Sequence, residues 1–339
     1  MANQYGQYDV PGANQCMALN VGQPRTDLLP DDTLDEIFTR LKERNHRGLL
    51  QYGKIQGFDE FRENLAEWLN MGERVCNNNL IPIKNHRQIK SCELLATDGV
   101  TGALSLILST FAKSGDTIFC EDPTYFIALN IFKEVGLIVK PIKINSNGLD
   151  LEEFDDAMQK ENPERNVFLY TIPINQNPTG FTMPNSRRLA LARIADKYPK
   201  LLVLADEVYH FLNFRDSTEY DKQCPYYMRS YHPQFLSIGS ISKIFAPGVR
   251  IGWICGDQFY ITKIASSGKL DSSGCVNPIG CAIVNQLLLM ERDDMTFTKI
   301  IHKWKDFLGN NCEKLYNIVC DLTGPVPKPF SECVKPIGG

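Results

Sequence analysis

The sequence predicts a three-layer α/β/α fold built on a mainly parallel sheet, with part of a second domain attached. Three observations predict it. Apolar, strand-like runs alternate with amphipathic helical stretches from Glu93 to Gly256. Leu201 to Ala205 is unbroken apolar sequence between Lys200 and Asp206, the pattern of a strand buried on both faces. The chain has 339 residues, 43% of them hydrophobic and 22% charged, enough for one large domain and part of another. Strand–helix alternation of this kind places helices on both faces of a parallel sheet.

The elements follow in order. Glu93 to Ala96 reads as a short strand, and Val100 to Phe111 as a helix with Leu104, Ile107 and Leu108 on one stripe. Asp116 to Cys120, Leu137 to Ile144, Val167 to Ile172 and Leu201 to Ala205 are strands. Helices are expected between them over Tyr125 to Val135, Leu151 to Gln159 and Ser186 to Tyr198. Phe235 to Ile238 and Ile251 to Cys255 complete the strands. Beyond Gly256 the chain turns helical, with a core helix over Cys281 to Met290. A long amphipathic helix follows over Met295 to Val319, carrying Phe297, Ile300, Ile301, Trp304, Phe307, Leu308 and Leu315 at helical spacing. Pro325, Pro327 and Pro329 end that pattern.

Composition excludes several classes of function. A net charge of -4 offers no electrostatic footprint for nucleic acid. No apolar run reaches the roughly 20 residues that span a bilayer. Met1 to Gln15 has neither the basic nor the apolar block of a targeting peptide. Eleven cysteines without a C-x-x-C pair point to reduced thiols, and so to the cytoplasm. The five histidines show no metal-ligand spacing, so no metal is expected.

In an open α/β sheet, ligands bind at the carboxyl ends of the strands. Four polar segments follow strands directly. Ser240-Ile241-Ser242-Lys243-Ile244-Phe245-Ala246-Pro247-Gly248-Val249-Arg250 sets a lysine among apolar neighbours, where it loses its proton more readily and can form an imine with an aldehyde. Arg250 and Ser240 suit a phosphate. Alone, Lys243 reads first as a solvated loop lysine. Leu204-Ala205-Asp206-Glu207-Val208-Tyr209 ends a buried strand on a carboxylate, able to face a protonated ring nitrogen or simply to cap a turn. Asn177-Pro178-Thr179-Gly180 is a turn by composition, and its position after a strand aims Asn177 at the same crevice. Thr97-Asp98-Gly99-Val100-Thr101 leads from a strand into a helix whose N-terminus favours an anion. Each signal is modest alone. Their order, on what reads as successive strands of one parallel sheet, is far more specific.

With these residues in place, the sequence resembles the fold type I pyridoxal-phosphate enzymes, specifically the class I/II aminotransferases, from about Asn20 to Gly339. The Ser-x-Ser-Lys-x-x-x-Pro-Gly-x-Arg-x-Gly signature from Ser240 to Gly252 carries most of the likeness. The resemblance implies that Lys243 holds pyridoxal 5'-phosphate as an imine and shuttles a proton. It implies that Asp206 pairs with the pyridinium nitrogen, that Asn177 and Tyr209 bond the phenolic oxygen, and that Tyr125 stacks on the ring. Val100, Thr101, Ser240 and Arg250, with Ser242 as a minor contact, would hold the phosphate. Tyr52 would reach the phosphate of a neighbouring subunit in a homodimer. Gly22, in Val21-Gly22-Gln23-Pro24, would line the substrate pocket. With Ser272 to Pro278, that segment looks most like the branch acting on 2-aminoadipate, kynurenine or aromatic amino acids.

The implied activity is transfer of an amino group from an L-amino acid to a 2-oxo acid. A C–S lyase on the same scaffold, or a cofactor-binding chain without turnover, would share the same cofactor residues. The implied organisation is an N-terminal segment (1–45), a large cofactor-binding domain (46–290), and a bridging helix with the start of an incomplete small α+β domain (291–339). In the family, a Lys-Pro-x-Gly-Gly segment opens the last part of the small domain, which later supplies an arginine for the substrate α-carboxylate. Here the sequence reaches Lys335-Pro336-Ile337-Gly338-Gly339, and the only arginine after Arg250 is Arg292, within a charged Glu291-Arg292-Asp293-Asp294 segment read as a solvated turn. The expectation is a truncated chain with an intact cofactor site, no carboxylate clamp, and exposed apolar surface on Met295 to Val319.

Overall fold

The computed structural model describes residues 22, 24–44, 46–76, 88–213, 226–274 and 276–323. The expected alternation is present as strands β1 (Leu94–Thr97), β2 (Thr117–Asp122), β3 (Ile138–Asn145), β4 (Gly148–Leu149), β5 (Val167–Thr171), β6 (Leu201–Asp206), β7 (Phe235–Ser240) and β8 (Gly252–Cys255). The helices are α1 (Asp31–Glu43), α2 (Asp59–Cys76), α3 (Val100–Phe111), α4 (Ala128–Glu134), α5 (Leu151–Met158), α6 (Asn185–Ala195), α7 (Gln258–Ala265), α8 (Gly268–Ser273), α9 (Pro278–Asp294) and α10 (Thr296–Thr323). Asp150 caps α5 by accepting from the amides of Glu152 and Glu153, and Asn277 caps α9 by accepting from Gly280.

The strands form one sheet in the order β1-β8-β7-β6-β5-β2-β3-β4. Pairs β2–β3, β2–β5, β5–β6 and β6–β7 are parallel, while β1–β8, β7–β8 and β3–β4 are antiparallel. One expectation is thereby corrected: the four polar segments do not follow adjacent strands of a parallel sheet. They follow β1, β5, β6 and β7, and β1 is separated from the others by the reversed strand β8. The correction has a structural use. β1 and β7 both oppose β8, so they run the same way and end at the same edge as β5 and β6. The reversed β8 begins at that edge, which puts Arg250, just before it, among the strand ends.

Side chains alternate across the sheet with the period of two expected of strands. Phe168, Tyr170, Leu202, Leu204, Leu236 and Ile238 pack with α3, α4 and α7 on one face. Val167, Leu169, Leu201, Val203 and Phe235 pack with α5 and α6 on the other. A third core joins α1, α2, α9 and α10 around Phe61, Trp68, Leu287 and Phe297, with Trp68 and Phe297 stacked at 4.7 Å. Glu291 to Asp294, expected as a turn, are instead the last turn of α9, because the apolar pattern from Cys281 carries the helix on to them. On α10 the half nearer α9 buries Phe297, Ile301 and Trp304, whereas Leu315, Ile318 and Val319 are exposed.

Candidate active site

The carboxyl edge gathers most of the residues singled out from the sequence. Asp206 ends β6 and is buried. Its Oδ2 accepts a 2.9 Å hydrogen bond from the hydroxyl of Tyr170, while Oδ1 is buried without a hydrogen-bond partner. Burial raises the Asp206 carboxyl to about 6; Tyr170, the Val208 amide and the Lys243 charge act against that rise. Tyr209 lies in the turn that follows. Burial, with the field of Asp206 and Tyr125, pushes its phenol up to about 12, against a hydrogen bond to the Asn177 side chain. Asn177, Tyr125 and Asp206 therefore all lie close to Tyr209.

Lys243 ends the 3-10 turn Ile241–Lys243, which continues directly from β7. The Ser240 hydroxyl caps this turn. It accepts from the Ser242 amide at 3.1 Å, donates to the Ile251 carbonyl at 2.9 Å, and lies 2.9 Å from the Ser242 hydroxyl. Lys243 Nζ donates to the carbonyl oxygen of Gly22 at 2.7 Å. Burial lowers the lysine below its ordinary range, opposed by the charge of Asp206.

Arg250 stands in the left-handed region with φ of 53°. Its guanidinium donates to the carbonyls of Asp98 at 2.7 Å and Pro247 at 3.2 Å. Gly99, the N-cap of α3, has φ of 95°, and a Cβ there would lie 2.7 Å from Arg250 Nη2. A Cβ on Gly252 would lie 2.9 Å from Gly99 Cα. The glycines thus let the arginine approach the start of α3, where no side chain caps the helix and the first amides, at Val100 and Thr101, remain available to an anion.

Tyr52 is the predicted residue that stands apart from this cluster. It is 83% exposed, on the surface beside Gly274. Arg292 is not at the site either: it pairs with Glu67 on α2.

Three site-shaping residues escaped the sequence reading. Tyr170 read as strand core and instead supports Asp206. Arg188, on α6, is fully buried and donates to the carbonyls of Met183 at 2.9 Å, Tyr226 at 3.0 Å and Pro173 at 2.9 Å, with Glu207 3.6 Å away. It ties both ends of the loop that carries Asn177. Glu121, at the end of β2, accepts from Thr171, from the Ile172 amide at 3.1 Å and from Gln176 at 3.1 Å, and burial raises it to about 7. An acid closing an otherwise apolar strand was the available signal for Glu121; Tyr170 and Arg188 gave none.

Residues 14–320 match the family described as aminotransferase class I and II. The chain belongs to this family. It is 33% identical over 291 residues to an aromatic-amino-acid aminotransferase of Thermococcus litoralis, covering 85% of this chain and 66% of that protein. It is 29% identical over 261 residues to an aromatic amino acid aminotransferase of Schizosaccharomyces pombe, covering 70% of this chain and 53% of the relative. The chain thus spans about half to two thirds of the length of these curated relatives. Among solved structures, the kynurenine aminotransferase of Pyrococcus horikoshii superposes with a TM-score of 0.77 at 26% identity, over 94% of this chain and 73% of that one. A multiple substrate aminotransferase from Thermococcus profundus gives 0.76 at 26% identity, with the same coverage. The sheet described above is the family's α/β architecture, and the strand-edge cluster is the part of the family member that suits a phosphorylated pyridine aldehyde. A buried carboxylate oxygen without a donor fits a protonated ring nitrogen, a half-buried amine fits the aldehyde, and an arginine beside an uncapped helix N-terminus fits the phosphate.

Proposed function

We propose that this chain binds pyridoxal phosphate and serves as an aminotransferase, moving an amino group from an L-amino acid to a 2-oxo acid. The observation that carries the reading is the Asp206 carboxyl, buried with one oxygen unsatisfied, on the same strand edge as the Lys243 amine. When bound, the cofactor supplies an aldehyde carbon and a ring that takes up electron density.

The residues divide the remaining work. Asp206, a carboxylate at neutral pH with its pKa of about 6, keeps the ring nitrogen protonated. Asn177 and Tyr209 donate to the ring's phenolic oxygen, and Tyr125 covers the ring. Ser240, Ser242, Arg250 and the amides of Val100 and Thr101 bind the phosphate. Lys243 would hold the aldehyde carbon, and its amine is the base that would accept the substrate α-proton at Nζ. Its lowered pKa favours the neutral amine that this step needs. Gly22 lines the substrate side. The exposed Tyr52 supports a homodimer in which it reaches the partner's phosphate site.

The donor we favour is an aromatic amino acid, kynurenine or 2-aminoadipate, and the division into 1–45, 46–290 and 291–339 belongs to the same reading. Cytoplasmic location accords with the thiol-rich composition; no helix among the described residues is long and apolar enough to cross a membrane. Purified chain incubated with pyridoxal phosphate, an aromatic donor and 2-oxoglutarate is expected to yield glutamate. Pyruvate and ammonia from a β-substituted amino acid would indicate a lyase, and a chain that takes up no cofactor would refute the reading.

A further inference from the structure

We propose that Tyr170 is a positioning residue for the cofactor ring, fixing the Asp206 carboxylate and holding it ionised so that the facing pyridine nitrogen stays protonated. The inference rests on the pyridoxal-phosphate reading above and adds a residue to it.

Sheet geometry makes the contact. In the parallel pair β5–β6, Tyr170 lies opposite Leu204, and Thr171 opposite Ala205. Asp206 is two residues beyond Leu204, so it points to the same face as Tyr170 and is its diagonal neighbour, within reach of a long aromatic side chain. The phenol spans that diagonal and donates to Oδ2 at 2.9 Å. Tyr170 has no exposed surface, and its ring meets Phe132 edge-on at 5.4 Å.

The division of labour at Asp206 follows. Oδ2 is occupied by Tyr170, and Oδ1 is left for another donor. A buried carboxylate with too few donors neutralises itself by taking up a proton, and a neutral acid would not hold a pyridinium. The Tyr170 hydroxyl is the side-chain donor that works against this. It stays a donor because burial, with the fields of Asp206, Glu121 and Tyr125, raises the phenol well above its ordinary value. The neighbouring acid Glu121 is engaged by Thr171, Ile172 and Gln176 and does not compete for the Tyr170 hydroxyl.

The test uses the full chain reconstituted with pyridoxal phosphate carrying nitrogen-15 in the ring. Two quantities are read: the ring-nitrogen chemical shift and the cofactor dissociation constant. In the unaltered chain the nitrogen should resonate as pyridinium. In Tyr170→Phe it should move toward neutral pyridine, with affinity about tenfold weaker, the loss expected for one hydrogen bond to a charged group. Replacing Tyr170 with 3-fluorotyrosine keeps a hydroxyl donor and should restore both values; it also serves if Tyr170→Phe does not fold. A purely structural role for Tyr170 would change thermal stability and leave the nitrogen-15 shift in place, which overturns the inference alone. A neutral nitrogen in the unaltered chain or in the fluorotyrosine chain also overturns it. A wild-type chain that takes up no cofactor overturns the parent reading and the inference together.

Discussion

Lys243 Nζ donates a 2.7 Å hydrogen bond to the carbonyl oxygen of Gly22, 221 residues earlier in the chain. The contact joins the N-terminal segment to the amine at the centre of the strand edge. It uses a backbone oxygen, so it does not depend on a side chain at that position. The amine is placed between that carbonyl and the field of Asp206, with burial favouring its neutral form.

Lys243 should therefore react with an amine-directed reagent at lower pH than the solvated lysines of the same chain. Acetylation by acetic anhydride across a pH series, read residue by residue by mass spectrometry on cofactor-free protein, measures this. In Asp206→Asn the opposing charge is gone, and the Lys243 profile should move to still lower pH. An unchanged profile in that variant would show that the two groups do not sense each other.

Arg188 combines complete burial with three carbonyl contacts and an ion pair to Glu207. Arg188→Met leaves Glu207 without its countercharge and frees the Asn177 loop. A loss of about 3–5 kcal/mol in denaturant unfolding is expected, the usual cost of breaking a buried pair from one side. Cofactor affinity should fall as well, since Asn177 and Tyr209 no longer hold register.

Gly99→Ala combines two effects. At φ of 95° an alanine is strained by roughly 1–3 kcal/mol. Its methyl would also displace Arg250 Nη2 from the start of α3. Affinity for pyridoxal phosphate should weaken by about tenfold or more, the scale of one charge-assisted hydrogen bond. Affinity for pyridoxal without its phosphate should change little. Equal losses for both ligands would place Arg250 away from the phosphate.

Across pH 4.5 to 6.5, His210 and the buried acids Glu121 and Glu207 pull stability in opposite senses, and the two acids outweigh the one imidazole. His210 is buried and stacked on Tyr227 at 4.1 Å, and burial pushes it down to about 3 from an ordinary 6.5. Between those values the unfolded chain binds a proton that the folded chain does not, so through His210 acidification destabilises the fold from about pH 6.5 downward. Glu121 and Glu207, raised by burial to about 7, act in the opposite sense: stability declines as pH rises from the ordinary carboxyl value of 4.5 toward 7. His210→Phe keeps a ring on Tyr227 and removes the acid-side term. Its melting temperature, relative to that of the unaltered chain, should rise as pH falls from 6.5 toward 3.

The sequence carried the strands well where apolar runs were bounded by charge, as at Leu201 to Asp206, and α3 began and ended where its stripe predicted. It did not carry the direction of β8, because a four-residue strand reads the same in either orientation. The gathering of Lys243, Asp206, Asn177, Tyr209 and Arg250 at one sheet edge was legible since Asp206 closes an apolar strand and the others stand in turns near strand ends. Tyr170 was not, because its apolar ring satisfies the strand pattern and only the parallel register brings its hydroxyl to Asp206. Arg188 sat in a helix where charge normally means solvent, and three carbonyls distant in sequence made its burial possible.

The central claim concerns Lys243, and reductive trapping tests it most directly. The chain is incubated with pyridoxal phosphate, treated with sodium borohydride to fix any carbon–nitrogen double bond, digested, and mapped by mass spectrometry. A phosphopyridoxyl group on the peptide containing Lys243, absent in Lys243→Ala, is the predicted result. A modification spread over exposed lysines such as Lys263 and Lys269, or no modification at all, would contradict it.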